Sequence, residues 1–183
     1  LPEAQLDRFM FNILVDYPTA NEELEIIRLT TSINNIKIEE VLLGEEILKL
    51  QEIVRRVPVS EYVLKYATKL ARNTRVHSKE EGIPQFIRQW VSWGAGPRAS
   101  QYLIISAKAR AILNGRNYVS IEDVRTVAYP VLRHRIITNF SAEAEGITTD
   151  KLIEKLIEVT PVEESETLKD GTISKVLGSA SSQ

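Results

Sequence analysis

Cysteine is absent from these 183 residues, which excludes disulfides and thiolate metal sites and agrees with a reducing, cytoplasmic setting. The two histidines, His77 and His134, have no close-spaced partner, so no metal site is expected. No apolar run approaches the length that crosses a bilayer. Lysine and arginine number 23 against 25 aspartates and glutamates, so the chain lacks the cationic excess that would point to nucleic acid. There is no Gly-x-x-x-x-Gly-Lys-Ser/Thr loop and no Gly-x-Ser-x-Gly elbow, hence no phosphate-cradling lysine and no obvious nucleophile. What is present, 43% hydrophobic residues, suffices for a core. The opening Leu1-Pro2-Glu3 carries no initiator methionine and reads as a piece of something longer.

Strand signals are scarce too. Phe9-Met10-Phe11-Asn12-Ile13-Leu14-Val15, closed by Asp16-Tyr17-Pro18, reads as one strand buried on both faces. A lone strand of that kind needs a sheet to pair its N–H and C=O groups. Residues 1–18 are therefore expected to end a truncated α/β core. Helical signals fill residues 19–160. Thr19 to Glu22 is a capping box opening a helix to about Thr31. Glu45 to Val57 repeats apolar residues at helical spacing and stops at Pro58; Ser60 caps a helix to about Arg75. Residues 76–85 read as a loop, and Phe86 to Trp93 as a short lead-in of undecided type. Ser120 to Asp123 forms a second capping box, before a helix that Pro130 should kink or break. A last short helix covers Asp150 to Val159, and residues 161–183 read as a flexible tail.

Between these lies Gly94-Ala95-Gly96-Pro97-Arg98-Ala99-Ser100, followed by helix formers to Asn114-Gly115. Gly96 suits the N-cap and Pro97 the first helical position, which puts Arg98 in the first turn. A helix start turns N–H groups and positive dipole outward, which suits an anion such as phosphate. An arginine there adds a forked donor set and breaks the preference for acids in a first turn. The plain alternative is a junction with a solvated arginine. Arg8, just before the strand, is the other candidate. Arg133-His134-Arg135 reads as cations complementing a helix C-terminus, and Trp90 and Trp93 as core aromatics that are also able to stack on an adenine.

The ordered set Leu1-Pro2-Glu3-Ala4-Gln5-Leu6-Asp7-Arg8-Phe9, Asp16-Tyr17-Pro18, Gly94 to Ser100 and Val131-Leu132-Arg133-His134-Arg135-Ile136 resembles the C-terminal portion of MoxR-type AAA+ ATPases. Magnesium-chelatase subunits share parts of it. The resemblance implies a mainly α fold: a helical-bundle lid domain preceded by a single strand of the core. It implies that Arg98, with Gly96 and Pro97, contacts the γ-phosphate of nucleotide held in the same subunit. Arg8 would be the arginine finger that reaches the nucleotide of a neighbour. It further implies ATP and magnesium in the full-length protein and none bound to this chain. The whole protein would form a homo-oligomeric ring, taken as a hexamer, that remodels partners in a chaperone-like way, including von Willebrand factor A domain proteins.

Two rival readings stand beside it. One is a self-contained helical protein-binding module with no nucleotide role. The other is a nucleic-acid-binding domain that uses Arg133 and Arg135. Because the phosphate loop is missing, residues 1–183 alone are expected not to hydrolyse ATP, and measurable phosphate release by the pure chain would refute this.

Overall fold

The structure is a computed structural model and describes residues 2–33, 37–79 and 82–162. From residue 163 onward the expected tail lies outside them. The chain divides into two compact units, one of Leu1–Asn12 with the residues from Val54 onward, the other of Ile13–Ile53. The mainly helical class is as the sequence implies. The elements are α1 (Glu3–Leu6), α2 (Ala20–Thr31), α3 (Gly44–Arg56), α4 (Glu61–Arg72), α5 (Gln85–Trp90), β1 (Val91–Trp93), α6 (Pro97–Leu113), α7 (Ile121–Leu132), β2 (Ile137–Thr138), α8 (Phe140–Ala144) and α9 (Thr149–Val159).

The larger unit is built on α6 against α7, with α4 packed on both and α9 on α7. Each element carries a stripe at helical spacing. In α4 it is Val63, Tyr66, Ala67, Leu70 and Ala71; in α7 it is Val124, Val127, Ala128, Val131 and Leu132. On α6 the stripe is Ala99, Leu103, Ala107 and Ala111, all fully buried. Three alanines in four positions let the axes approach closely, since ridge depth sets interhelical distance. Pro130 sits inside α7 without ending it. Its free carbonyl accepts from the Asn12 amide at 2.8 Å.

Helix starts are fixed by side chains. The Ser60 hydroxyl accepts from Val63 N. At α7 the capping box forms as expected, with Ser120 N and Oγ both donating to Asp123 Oδ2. Asp123 is fully buried and also takes Arg110 and Arg116. Burial pushes its carboxyl up, yet the hydrogen bonds from Arg116, Ser120 and Arg110 outweigh that and hold it well below the usual carboxylate range. Gly115, at φ +70°, provides the left-handed residue that ends α6.

Some expectations change in detail. The lead-in of undecided type is α5 followed by β1, and β1 pairs antiparallel with β2. Both strands, at three and two residues, are too short to show a period. Phe9–Val15, read as a strand, forms no ladder among the described residues. Its amides find no partner strand there, and a strand exists only as a ladder. Within Ile13–Ile53, α2 begins at the expected Thr19–Glu22 capping box. Every described residue of that unit is exposed.

One glycine is fixed by a close approach. A Cβ on Gly94 would lie 2.0 Å from the Thr74 carbonyl oxygen and 2.8 Å from Arg75 Cα. Gly94→Ala is therefore expected to destabilise the larger unit by about 1–3 kcal/mol through overpacking. A urea denaturation midpoint unchanged from the parent would contradict it.

Candidate functional site

The loop that launches α6 is held from behind. Thr74, fully buried at the end of α4, donates its hydroxyl to Ala71 O at 2.7 Å and accepts from Ala95 N at 2.8 Å. Arg75 Nε donates to Ala95 O at 2.8 Å. The loop therefore ends at a fixed place and direction. Gly96 is the N-cap with no side-chain cap bond, Pro97 is the first helical residue, and no acid stands in the first turn. Arg98 follows, as the sequence implies. Its side chain is 45% exposed and Nη1 pairs with Asp7 Oδ2 at 3.0 Å. An ion pair that open to solvent contributes about 0–1 kcal/mol.

Asp7 has a second partner. Its Oδ1 accepts from Arg135 Nε at 3.0 Å, and the Arg135 side chain is only 1% exposed. Arg135 also donates from Nη2 to Asp7 O (2.7 Å) and Phe9 O (2.6 Å), and from Nη1 to Met10 O and Val131 O. Its guanidinium lies over the Tyr102 ring, 5.0 Å from the centroid. The Tyr102 hydroxyl donates to Arg8 O at 3.0 Å. Arg133 makes a forked pair with Asp150, at 2.7 and 2.8 Å, and reaches Asn12 O at 2.9 Å. Segment 7–12 is thus strapped to α6 and α7 through its carbonyls. Burial lowers the His134 pKa, the Phe9 carbonyl contact opposes this, and the neighbouring Arg135 cation lowers it further, for a net downward shift.

These contacts correct the reading of Arg133-His134-Arg135 as helix-end charges. Arg135 does reach a last-turn carbonyl, that of Val131, but its main work is to clamp a distant segment. Neither arginine is available to nucleic-acid phosphates. Asp7 and Arg135 were missed as site residues because spacing shows a helix end and not what crosses it. Arg8 itself is exposed and has no side-chain ion pair among the described residues. Trp90 packs beneath Lys155, 4.6 Å from its ring centroid, and beside Phe86. Trp93, by contrast, is 61% exposed. It lines a cavity of about 330 Å³ together with Asp7, Gly94, Gly96, His134, Arg135 and Ile137. No group of three metal-ligating side chains exists among the described residues.

Residues 86–156 match the family model described as the AAA lid domain. The chain is 35% identical over 158 residues to Chaperone MoxR1 of Mycobacterium tuberculosis, covering 86% of this chain and 41% of that protein. It is 29% identical over 147 residues to protein MoxR of Paracoccus denitrificans, covering 74% and 43%. A crystal structure of a protein assigned as an ATPase, from Cytophaga hutchinsonii, superposes with a TM-score of 0.80 at 37% identity, over 90% of this chain and 49% of that one. The chain belongs to the MoxR-type AAA+ ATPases. It spans less than half the length of these relatives. In this MoxR-type chain the lid model runs from α5 to α9, so α6, α7 and the Arg98 turn are lid. No helix among the described residues is long and apolar enough to cross a membrane.

The Arg135 clamp generates a prediction. Arg135→Met keeps the side-chain bulk and leaves Asp7 and three segment carbonyls without their donor. Removing one partner of a largely buried pair is expected to cost about 3 kcal/mol. Amide exchange at Phe9 and Asn12 should accelerate along with the loss of stability. Unchanged protection there would show that the strap is held by other contacts.

Proposed function

We propose that this chain supplies two arginines to the ATP hydrolysis cycle of the full-length protein, Arg98 to the γ-phosphate in its own subunit and Arg8 to that of a neighbour. The observation that carries the reading is Arg98 itself. It stands half-exposed in the first turn of an uncapped helix, on a loop fixed by Thr74 and Arg75, with one weak ion pair to exchange. Its guanidinium offers forked donors that fit phosphate oxygens. Gly96 and Pro97 keep the approach to that turn free of a capping side chain.

Bound nucleotide supplies the triphosphate and its metal; this chain's part is positioning and charge. Phosphoryl transfer spreads negative charge over the γ-phosphate oxygens, and rigid cations placed there lower the barrier. Arg8, pinned through its carbonyl but with an exposed side chain, has the freedom to reach outward, as a finger acting between subunits requires. Loss of the γ-phosphate would release Arg98, and α6, packed by its alanines on α7, would pass that change to the lid as a body. We further propose that residues 1–18 close the core domain and residues 19–160 form the lid. The assembly would be a ring, taken as a hexamer, in the cytoplasm. It would remodel partner proteins as a chaperone does, a role that the chaperone name of the Mycobacterium tuberculosis relative supports, with von Willebrand factor A domain proteins among the partners.

The test uses the full-length protein. Arg98→Ala is expected to lose about 10²-fold in turnover, and Arg8→Ala about 10³-fold or more. Mixing the two inactive variants should restore activity, because an Arg8→Ala subunit keeps its own Arg98 and borrows Arg8 from its neighbour. Full turnover by Arg98→Ala would favour the protein-binding module instead, and failure of the mixture to recover would place Arg8 outside the neighbour's site.

A further inference from the structure

The two arginines on Asp7 are held unequally. Arg135 is buried and is committed to four backbone carbonyls besides the carboxylate. Arg98 is 45% exposed and Asp7 is its one ion-pair partner among the described residues. A triphosphate brings more charge and more acceptor oxygens than a single carboxylate oxygen, so it outcompetes Asp7 for the exposed arginine. It does not displace the buried one, whose separation would leave a charge unpaired away from water. Exchange at Asp7 is therefore one-sided. Arg98 departs and Arg135 stays.

Residue 7 is followed at once by Arg8. The Arg8 carbonyl is pinned by Tyr102, which lies one turn beyond Arg98 on the same helix. Helix α6 thus grips this short segment at two points, Asp7 through Arg98 and Arg8 through Tyr102. We propose that Asp7 is a positioning residue for Arg98. With no phosphate present it parks Arg98; when Arg98 moves to phosphate that grip on the segment is lost, while Arg135 on the Asp7 and Phe9 carbonyls and Tyr102 on the Arg8 carbonyl keep Arg8 in place. This rests on the role given above to Arg98.

The experiment compares parent, Asp7→Asn, Arg98→Ala and the double variant of the full-length protein, measuring binding of ADP and of a non-hydrolysable ATP analogue. Asparagine keeps an acceptor for Arg135 and presents Arg98 with a donor it cannot use. Asp7→Asn is expected to tighten analogue binding about two- to fivefold, the fold-change equivalent of losing a weak exposed pair, and to leave ADP binding unchanged. The gain must vanish in the Arg98→Ala background. No gain, or a gain that survives without Arg98, overturns the role of Asp7 alone. If Arg98→Ala itself leaves analogue binding intact, the γ-phosphate reading fails and this proposal falls with it. Amide exchange at Phe9 and Asn12 of the parent protein decides the matter should Asp7→Asn not fold. It should be faster with the analogue than with ADP, and equal rates overturn the proposal.

Discussion

A guanidinium at 1% exposure has to be surrounded by acceptors, and that requirement at Arg135 shapes the whole functional end of this chain. Isolated burial of such a cation costs far more than the domain's net stability. Its needs are met by one carboxylate, four carbonyls and an aromatic face; every one of the oxygen acceptors comes from residues 7–10 or α7, and the ring from α6. A segment without a ladder partner of its own is thereby held in a single path. Its carbonyls at Asp7, Arg8, Phe9 and Asn12 each meet a donor from Arg135, Tyr102 or Arg133.

That clamp works only because α6 and α7 hold still against one another. Tyr102 stacks beneath the guanidinium from α6, and Arg135 follows the end of α7. Both helices bury small or β-branched residues in the one core, Ala99, Ala107 and Ala111 from α6 and Val124, Ala128 and Val131 from α7. Interiors packed to crystal-like density resist sliding, so α6 and α7 are expected to move together. Thr74 and Arg75 anchor the loop at the start of the same helix. The polar groups act at the places the apolar packing dictates.

Much of this was legible in the residues. Stripes at helical spacing and the Thr19, Ser60 and Ser120 caps located helices that the structure contains, since both signals are local and depend on few neighbours. The Gly96-Pro97-Arg98 start was equally readable, because a missing amide and a fixed φ leave little choice. Arg135 was not. A cation near a helix end looks the same in sequence whether it complements a dipole or clamps a segment more than a hundred residues away. Phe9–Val15 shows the converse. Its composition states how well it would pack in a sheet, yet pairing is a property of two segments, and the second is not among the described residues. Asp123 lies between these cases. The capping box announced its place, but its burial under Arg110 and Arg116 depends on the turn that Gly115 makes.

The contrast in strength between the two Asp7 contacts is what suits this site to a ligand that comes and goes. Had Arg98 been buried as deeply as Arg135, a phosphate would have to break a pair that costs about 3–5 kcal/mol to separate, and the arginine would be useless as a detector. Had Asp7 been absent, a first-turn arginine facing a positive helix end would be repelled by its own dipole and would wander. An exposed carboxylate within reach offsets that repulsion while binding weakly enough to be replaced. On the proposed role of Arg98, the same carboxylate, tied firmly on its other oxygen, would keep its position through the exchange and give the arginine a defined place to return to.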